Sequence, residues 1–429
     1  MPKGKRKGKS DRSRYDGSLQ TSDDDSNNND AMSVISNYSK SSESSEFGED
    51  CAADQLEDKL MEVMDGLSDK SSKTRIDSFK MLSKALIKKF IPNFVKDRLF
   101  TISDSIERSL KKGSGSEKAA AADLTTQLCI QTGLFDECED ICKNFTPTFL
   151  VIAKDTSVSP TVRGKCCQAL GNMAFLGGGE MGEVLTLMQQ LETIFLGSYL
   201  KGDGAVPNIT PEVATMHAAA LSAWTLLFTL MSPGNISHMM NNSKTLASLD
   251  NLSGLLESAH LEVRMAAGEA LAVIFELGRL EDEEFEDDFA NDIADTLKKL
   301  ATDSNKYRAK KDRKQQRASF RDILQFIEEN SSSNVTIKFG KEEVTLDSWA
   351  KRKQYEELCK VLGPGINIHL TENDLLRDIF EIIGVPPGDD GLTHAQQQHE
   401  RKIKKIQNAA NFKARTINRA KNRDKRCDF

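Results

Sequence analysis

An all-α solenoid of stacked helical repeats, then a small α+β module and a basic C-terminal helix, is what the sequence predicts. Three observations predict it. Apolar residues recur with a period of 3.6 from about residue 54 to residue 329, and strand-like alternation is nearly absent there. A nine-residue pattern returns along this region at a nearly regular step. Acidic and basic residues are segregated, so the two ends of the chain differ in kind from its middle.

The chain has 429 residues, with 58 Lys and Arg against 65 Asp and Glu, a net charge of -7 and 38% hydrophobic residues. The hydrophobic share is below the roughly 45–50% of an average globular chain. The deficit sits at the ends. Residues 1–50 run from a basic cluster into SLQTSDDDSNNND and SKSSESSEFGED. Such a segment buries too little apolar area to offset its ordering entropy and is expected to be disordered. Its Ser-acidic runs suit phosphorylation; a solubilising tail is the simpler reading.

Residues 51–330 form the predicted repeat domain. Leu56, Leu60, Val63, Met64 and Leu67 make the first helical stripe. Pro92, Gly113, Gly115, Pro147, Pro160, Pro211 and Pro233 are expected in the gaps between helices. VRGKCCQAL from Val162 and VRMAAGEAL from Val263 share Val-Arg and then Ala-Leu at the same offset. VATMHAAAL from Val213 keeps the frame but carries Ala214 in place of Arg. Arg75 lies seven residues before Leu82, and Arg75 to Arg163 is 88 residues, or two steps of 44. The next two steps are 51 and 50 residues. This spacing fits armadillo or HEAT-like repeats, with a large irregular helical bundle as the alternative.

Residues 335–385 form a small module. IKFGKEEVTLDSW alternates as a hairpin, with Ile337, Phe339, Val344 and Leu346 on one face. Helical windows follow at Asp347–Leu362 and Thr371–Ile383, split by Gly363–Gly365. Residues 393–429 are a polar, strongly basic tail.

Several function classes fall away. No apolar run is long enough to span a bilayer, since Leu221–Met231 stops before Pro233. The basic N-terminus has no apolar core behind it, so no secretory signal is expected, and the eight cysteines are expected as free thiols in a reducing compartment. GKRKGKS has three residues between its glycines and no flanking strand, so it is not a phosphate loop. Gly177–Gly182 satisfies G-x-G-x-x-G but follows a helix, so an interhelical loop is expected. Cys138, Cys142, Cys166 and Cys167 lack the CxxC pairs of a structural zinc site, and core packing is expected, as for Cys129. The six histidines are scattered. No catalytic residue, metal, cofactor, membrane contact or small-molecule substrate is expected.

Two charge runs remain. LEDEEFEDDFANDIADTL is read as an amphipathic helix, with Phe285, Phe289, Ile293 and Leu297 on its inner face. A basic run follows: Lys306, Arg308, Lys310, Lys311, Arg313, Lys314, Arg317 and Arg321. It is either a phosphate-binding surface or a solvated face with internal ion pairs. The tail carries Arg401, Lys402, Lys404, Lys405, Lys413, Arg415, Arg419, Lys421, Arg423, Lys425 and Arg426 against Asp424. Its apolar stripe (Ile403, Ile406, Ala410, Phe412, Ile417) is too thin to hold a helix alone. Folding against a polyanion such as RNA is the favoured reading, beside a nuclear-import signal or a solubilising tail.

SDSIERSLKKG (103–113), LSAWTLLFTL (221–230), RMAAGEALAVIFELGR (264–279), LATDSNKYRAKKDRKQQRASFRDIL (300–324), IKFG (337–340) and FKARTINRAKNRDKR (412–426) together resemble the interferon-related developmental regulator family. The resemblance runs from about residue 55 to the end. It implies an armadillo-like fold and two roles. One is occupation of translationally inactive ribosomes, with the basic helix (here Arg401–Arg426) inserted in the tRNA/mRNA path to repress translation or preserve idle ribosomes. The other is transcriptional co-regulation with histone-deacetylase complexes. The expectation is a non-enzymatic, ribosome-binding protein of the cytoplasm. The co-regulator role, with a nuclear pool, is its rival.

Overall fold

A computed structural model describes residues 53–382, apart from 134–135, 178, 242–246, 304–308, 332–333 and 341. The readings for residues 1–50 and 393–429 therefore lie outside the described residues, as do Lys306 and Arg308.

The helices pair as antiparallel hairpins: α1 (Ala53–Gly66) with α2 (Ser72–Lys88), α3 (Pro92–Lys112) with α4 (Gly115–Thr132), α5 (Asp136–Lys154) with α6 (Pro160–Gly177), and α7 (Met181–Phe195) with α8 (Pro211–Phe228). Two short helices, α9 (Ile236–Asn241) and α10 (Leu249–Gly254), then lead to α11 (Leu261–Arg279). The last pair is α12 (Asp287–Thr302) with α13 (Lys310–Glu329). The second helices of successive pairs pack on one another in the order α2, α4, α6, α8, α11, α13. That stack is the repeat predicted from the sequence. The 88-residue interval from Arg75 to Arg163 holds one further inner helix, α4, as two steps of 44 require.

The recurring arginine has a structural task. At the starts of α2, α6 and α11 it donates to carbonyls of the preceding turn, satisfying groups that the chain before it leaves open. Arg75 Nη1 reaches Asp69 O at 2.8 Å and Lys70 O at 3.0 Å, Arg163 Nε reaches Ala153 O at 2.8 Å, and Arg264 Nη1 reaches Ser258 O at 2.6 Å. Where Ala214 replaces the arginine, the equivalent carbonyl, Ile209 O, is 3.0 Å from His260 Nε2 of the next repeat. The small residues of the motif set the spacing between inner helices. A Cβ at Gly171 would lie 2.6 Å from Ala223 Cβ, and one at Gly268 would lie 2.8 Å from Phe320.

Three local expectations are corrected. Pro147 lies inside α5 rather than in a gap. A proline costs a helix about 3 kcal/mol, but Phe145, Phe149 and Ile152 bury that helix into the core around it. The acidic helix starts at Asp287, because residues 280–286 form the turn that reverses the chain, ending at left-handed Glu286 (φ 53°). Phe285 is still buried, edge-on to Phe275. The second C-terminal helical window is two helices, α15 (Ile366–Glu372) and α16 (Asp374–Ile379). Asn373 breaks it: its Oδ1 caps Leu375 N at 2.9 Å, while its Nδ2 donates to Ile130 O at 2.9 Å.

The hairpin β1 (Val335–Phe339) and β2 (Glu342–Leu346) is antiparallel, with Ile337 opposite Val344 and Val335 opposite Leu346, and the predicted apolar face is buried. Gly340 in the turn has φ +56°, a conformation open to glycine. Helix α14 (Trp349–Leu362) then crosses the inner helices, and α15 seats on the ends of α2 and α4. The module and repeats share one continuous apolar core. At the seam, a Cβ on Gly365 would sit 2.0 Å from the Ile87 carbonyl oxygen. Gly365→Ala is therefore expected to cost stability at the upper end of about 1–3 kcal/mol. A lowered urea midpoint checks this, and an unchanged midpoint would show that the module can lift off α2 without penalty. No helix among the described residues is long and apolar enough to cross a membrane.

Candidate functional site

The inner helices and α14 enclose a cleft of about 620 Å³. Its walls come from α8 (Ser222), α11 (Glu262, Glu269), α13 (Lys311, Lys314, Asp322) and α14 (Arg352, Glu356, Lys360). α13 presents this face because Gln316, Phe320, Phe326 and Ile327 hold its other side in the core. Arg264 fixes its rotation, donating to Gln316 Oε1 at 2.7 Å, while Gln316 Nε2 donates to Leu300 O at 3.2 Å.

The floor is an ionic cluster. Lys353 Nζ lies 2.7 Å from Glu269 and 3.0 Å from Glu357, and Lys360 Nζ lies 2.8 Å from Glu357. Ser222 Oγ donates to Glu357 at 2.5 Å and accepts from Lys353 at 2.6 Å and Lys360 at 3.2 Å. These bonds tie α14 to α8 and α11. Burial disfavours the Lys353 charge, but Glu269 and Glu357 outweigh it and raise its pKa. Burial likewise opposes the Glu357 carboxylate, yet Lys360 and Lys353 hold its pKa well below the usual range. Burial, then Glu269, push Glu356 up to about 7. The Ser222 hydroxyl between two lysines resembles a Ser–Lys pair. Both lysines have raised pKa values, however, and stay charged, so neither serves as a base for the hydroxyl. The cluster is a clamp. A second clamp lies beside it: Glu276 accepts from Trp349 N at 2.7 Å and Ala350 N at 2.8 Å, capping the start of α14.

Of the basic residues read from sequence, Lys310, Lys311 and Lys314 are exposed and Arg313 and Arg317 half-buried. Lys311 and Lys314 line the cleft, where Asp312, Glu262 and Asp322 stand among them. The cleft is thus mixed in charge and is not a uniform phosphate track. All eleven cations of the tail segment 401–426 lie outside the described residues. Sequence reasoning missed the clamp. Lys353, Glu357 and Lys360 read as ordinary exposed (i, i+4) and (i, i+3) pairs, and their partners on α8 and α11 are 84 to 138 residues away.

The model of the interferon-related developmental regulator family matches residues 31–328, and that of the interferon-related protein conserved region matches residues 373–427. The chain is 38% identical over 376 residues to mouse interferon-related developmental regulator 2, covering 88% of this chain and 84% of that protein. It is 38% identical over 404 residues to human interferon-related developmental regulator 1, covering 92% and 88%. An uncharacterized Schizosaccharomyces pombe protein is 30% identical over 215 residues, covering 45% of this chain and 46% of that protein.

Proposed function

The chain belongs to the interferon-related developmental regulator family, and we propose that it is a ribosome-binding protein that silences or preserves idle ribosomes without catalysis. The observation that carries this reading is the charge of residues 401–426, eleven cations against one acid. Such a segment neutralises phosphates and releases their counterions, so it favours an RNA-lined channel over a protein groove. A helix lying in the tRNA/mRNA path blocks elongation by occupancy alone.

The family-model match supports the same reading. The conserved-region match begins at Asn373 and runs through the basic segment to residue 427. Asn373 is buried and bonded to the end of α4, and His369 to the end of α2. The matched region thus begins on residues tied to the repeat body. A body that docks on the ribosomal surface would aim the tail and limit the space it searches. On this reading the protein acts in the cytoplasm, with rRNA and ribosomal proteins as partners.

Co-sedimentation with purified ribosomes across a salt series, comparing the full chain with one ending at Gly391, tests this. Binding by the full chain should weaken steeply with salt, and truncation should abolish it. Equal binding and equal salt slope for both chains would overturn the insertion mechanism. No binding by either would overturn the ribosomal reading and leave the nuclear scaffold on histone-deacetylase complexes as the family role that applies.

A further inference from the structure

A group of metal-ligating side chains lies apart from the cleft. Cys129 is in the last turn of α4, and Cys138 and Cys142 lie one turn apart at the start of α5. The packing of α5 on α4 brings the three Sγ atoms within 4.8 Å of one another. Cys129 and Cys138 are buried and Cys142 is partly exposed. We propose that these three thiols form a binding site for a soft monovalent cation, copper(I).

Three arguments support the assignment. The first is geometry. An ion holding sulfur at about 2.3 Å sets three sulfurs roughly 3.8–4.0 Å apart. The cluster needs to contract by no more than about 1 Å from its 4.8 Å limit, which side-chain rotation supplies. The second is ligand number. Among the described residues no His, Cys, Asp or Glu supplies a fourth ligand atom to the group. Structural zinc takes four ligands, whereas soft thiolate sites with fewer ligands suit copper(I). The third is access. Cys142, at the edge of the cluster, gives an ion a way in, and its Sγ is 3.2 Å from the Met173 carbonyl oxygen, to which the free thiol donates. Binding replaces that contact and releases the thiol protons to solvent. Core packing alone accounts for Cys166 and Cys167, which are buried in α6 and belong to no such group. They are the internal comparison.

The test uses the full chain, reduced and oxygen-free, with Cys51→Ser and Cys427→Ser removing the cysteines outside the described residues. Copper(I) is supplied as its acetonitrile complex and competed with bicinchoninate. The proposal expects one copper(I) retained per chain, a thiolate-to-copper ultraviolet band, and three sulfur neighbours by X-ray absorption. Cys129→Ser, Cys138→Ser and Cys142→Ser should each weaken retention about 100-fold or more, while Cys166→Ser/Cys167→Ser should leave it unchanged. Should Cys138→Ser fail to fold, the more exposed Cys142→Ser carries the same expectation. Retention that survives Cys142→Ser, or that falls equally with Cys166→Ser/Cys167→Ser, overturns the site. Zinc(II) displacing copper(I) from these thiols overturns the choice of ion.

Discussion

Lys353→Met is expected to lower the free energy of unfolding by about 3–5 kcal/mol, because it removes one partner of a buried ionic cluster and leaves the others in place. The Lys353 side chain is 2% exposed and that of Glu357 is 3% exposed. With Lys353 gone, Glu269, Glu356 and Glu357 face one another with Lys360 as the remaining clamp cation. Ser222 Oγ also loses the nearer of its two lysine donors. Lys353→Met/Glu357→Leu should recover a large part of the loss, since it removes opposite charges together and fills the space with apolar volume. Urea midpoints of the single and double variants, analysed as a cycle, measure this. Additive losses would show that the two groups do not interact and that α14 is held by its apolar face alone. A midpoint shift under about 1 kcal/mol for Lys353→Met would show that water reaches the cluster and screens it.

The same cluster marks the limit of what the sequence discloses. Inner helices, their spacing and the hairpin are visible because they rest on local periods: 3.6 along a helix, 2 along a strand, and about 44 to 51 residues between repeats. The arginine at the starts of α2, α6 and α11 is visible as a letter in the pattern, and the structure supplies its reason, the carbonyls of the turn before it. The return of α14–α16 across the inner helices leaves no such trace. It depends on His369 meeting Leu86 O and on Lys353 meeting Glu269, pairs 283 and 84 residues apart. The three-cysteine group is hidden for the same reason. Cys138 and Cys142 stand one helical turn apart in sequence, but Cys129 joins them only because α5 packs on α4. Asn373 likewise reads as an ordinary helical residue until the carbonyl it bonds, Ile130 O, is in place.

Acid should draw stability from the protein between about pH 6.5 and pH 4, because two histidines are buried in their neutral form. Burial lowers the His369 pKa to about 4, against the raising effect of the Leu86 and Ile87 carbonyls at 2.9 and 3.2 Å from Nε2. Those carbonyls hold the proton on Nε2 and leave Nδ1 toward the Asn373 amide, at 3.5 Å, which has no use for a second donor. Burial, then Arg163, lower His217 to about 4, with Ser198 Oγ at 2.7 Å from its Nδ1. The sign follows from linkage. In the unfolded chain each imidazole takes a proton below about 6.5, whereas the folded chain takes it only near 4, so the unfolded state binds more protons between those values. The stability each histidine contributes is full above pH 6.5 and is lost as pH falls toward 4, about 3 kcal/mol per residue. Glu356 acts in the opposite sense. Its folded pKa of about 7 lies above its unfolded value, so its contribution is present at low pH and lost as pH rises through 7. It lines an open cleft, which reduces its share. Below about pH 4.5, Glu117 and Glu357, whose pKa values are lowered in the fold, add further loss as they protonate. Burial also raises the pKa values of Glu192, Glu276 and Asp322, which act in the same sense as Glu356, so urea midpoints between pH 7 and pH 4.5 carry the histidine loss against this carboxyl gain, and histidine variants separate the two. His369→Gln keeps a donor for the Leu86 carbonyl and cannot titrate, so it should flatten the slope by about one proton, or about 1.4 kcal/mol per pH unit within the window. His217→Asn should do the same independently. A variant slope equal to that of the parent chain would mean that the imidazole it replaces does not stay neutral in the folded protein; for His369, that the seam between α15 and α2 opens to water before acid reaches it.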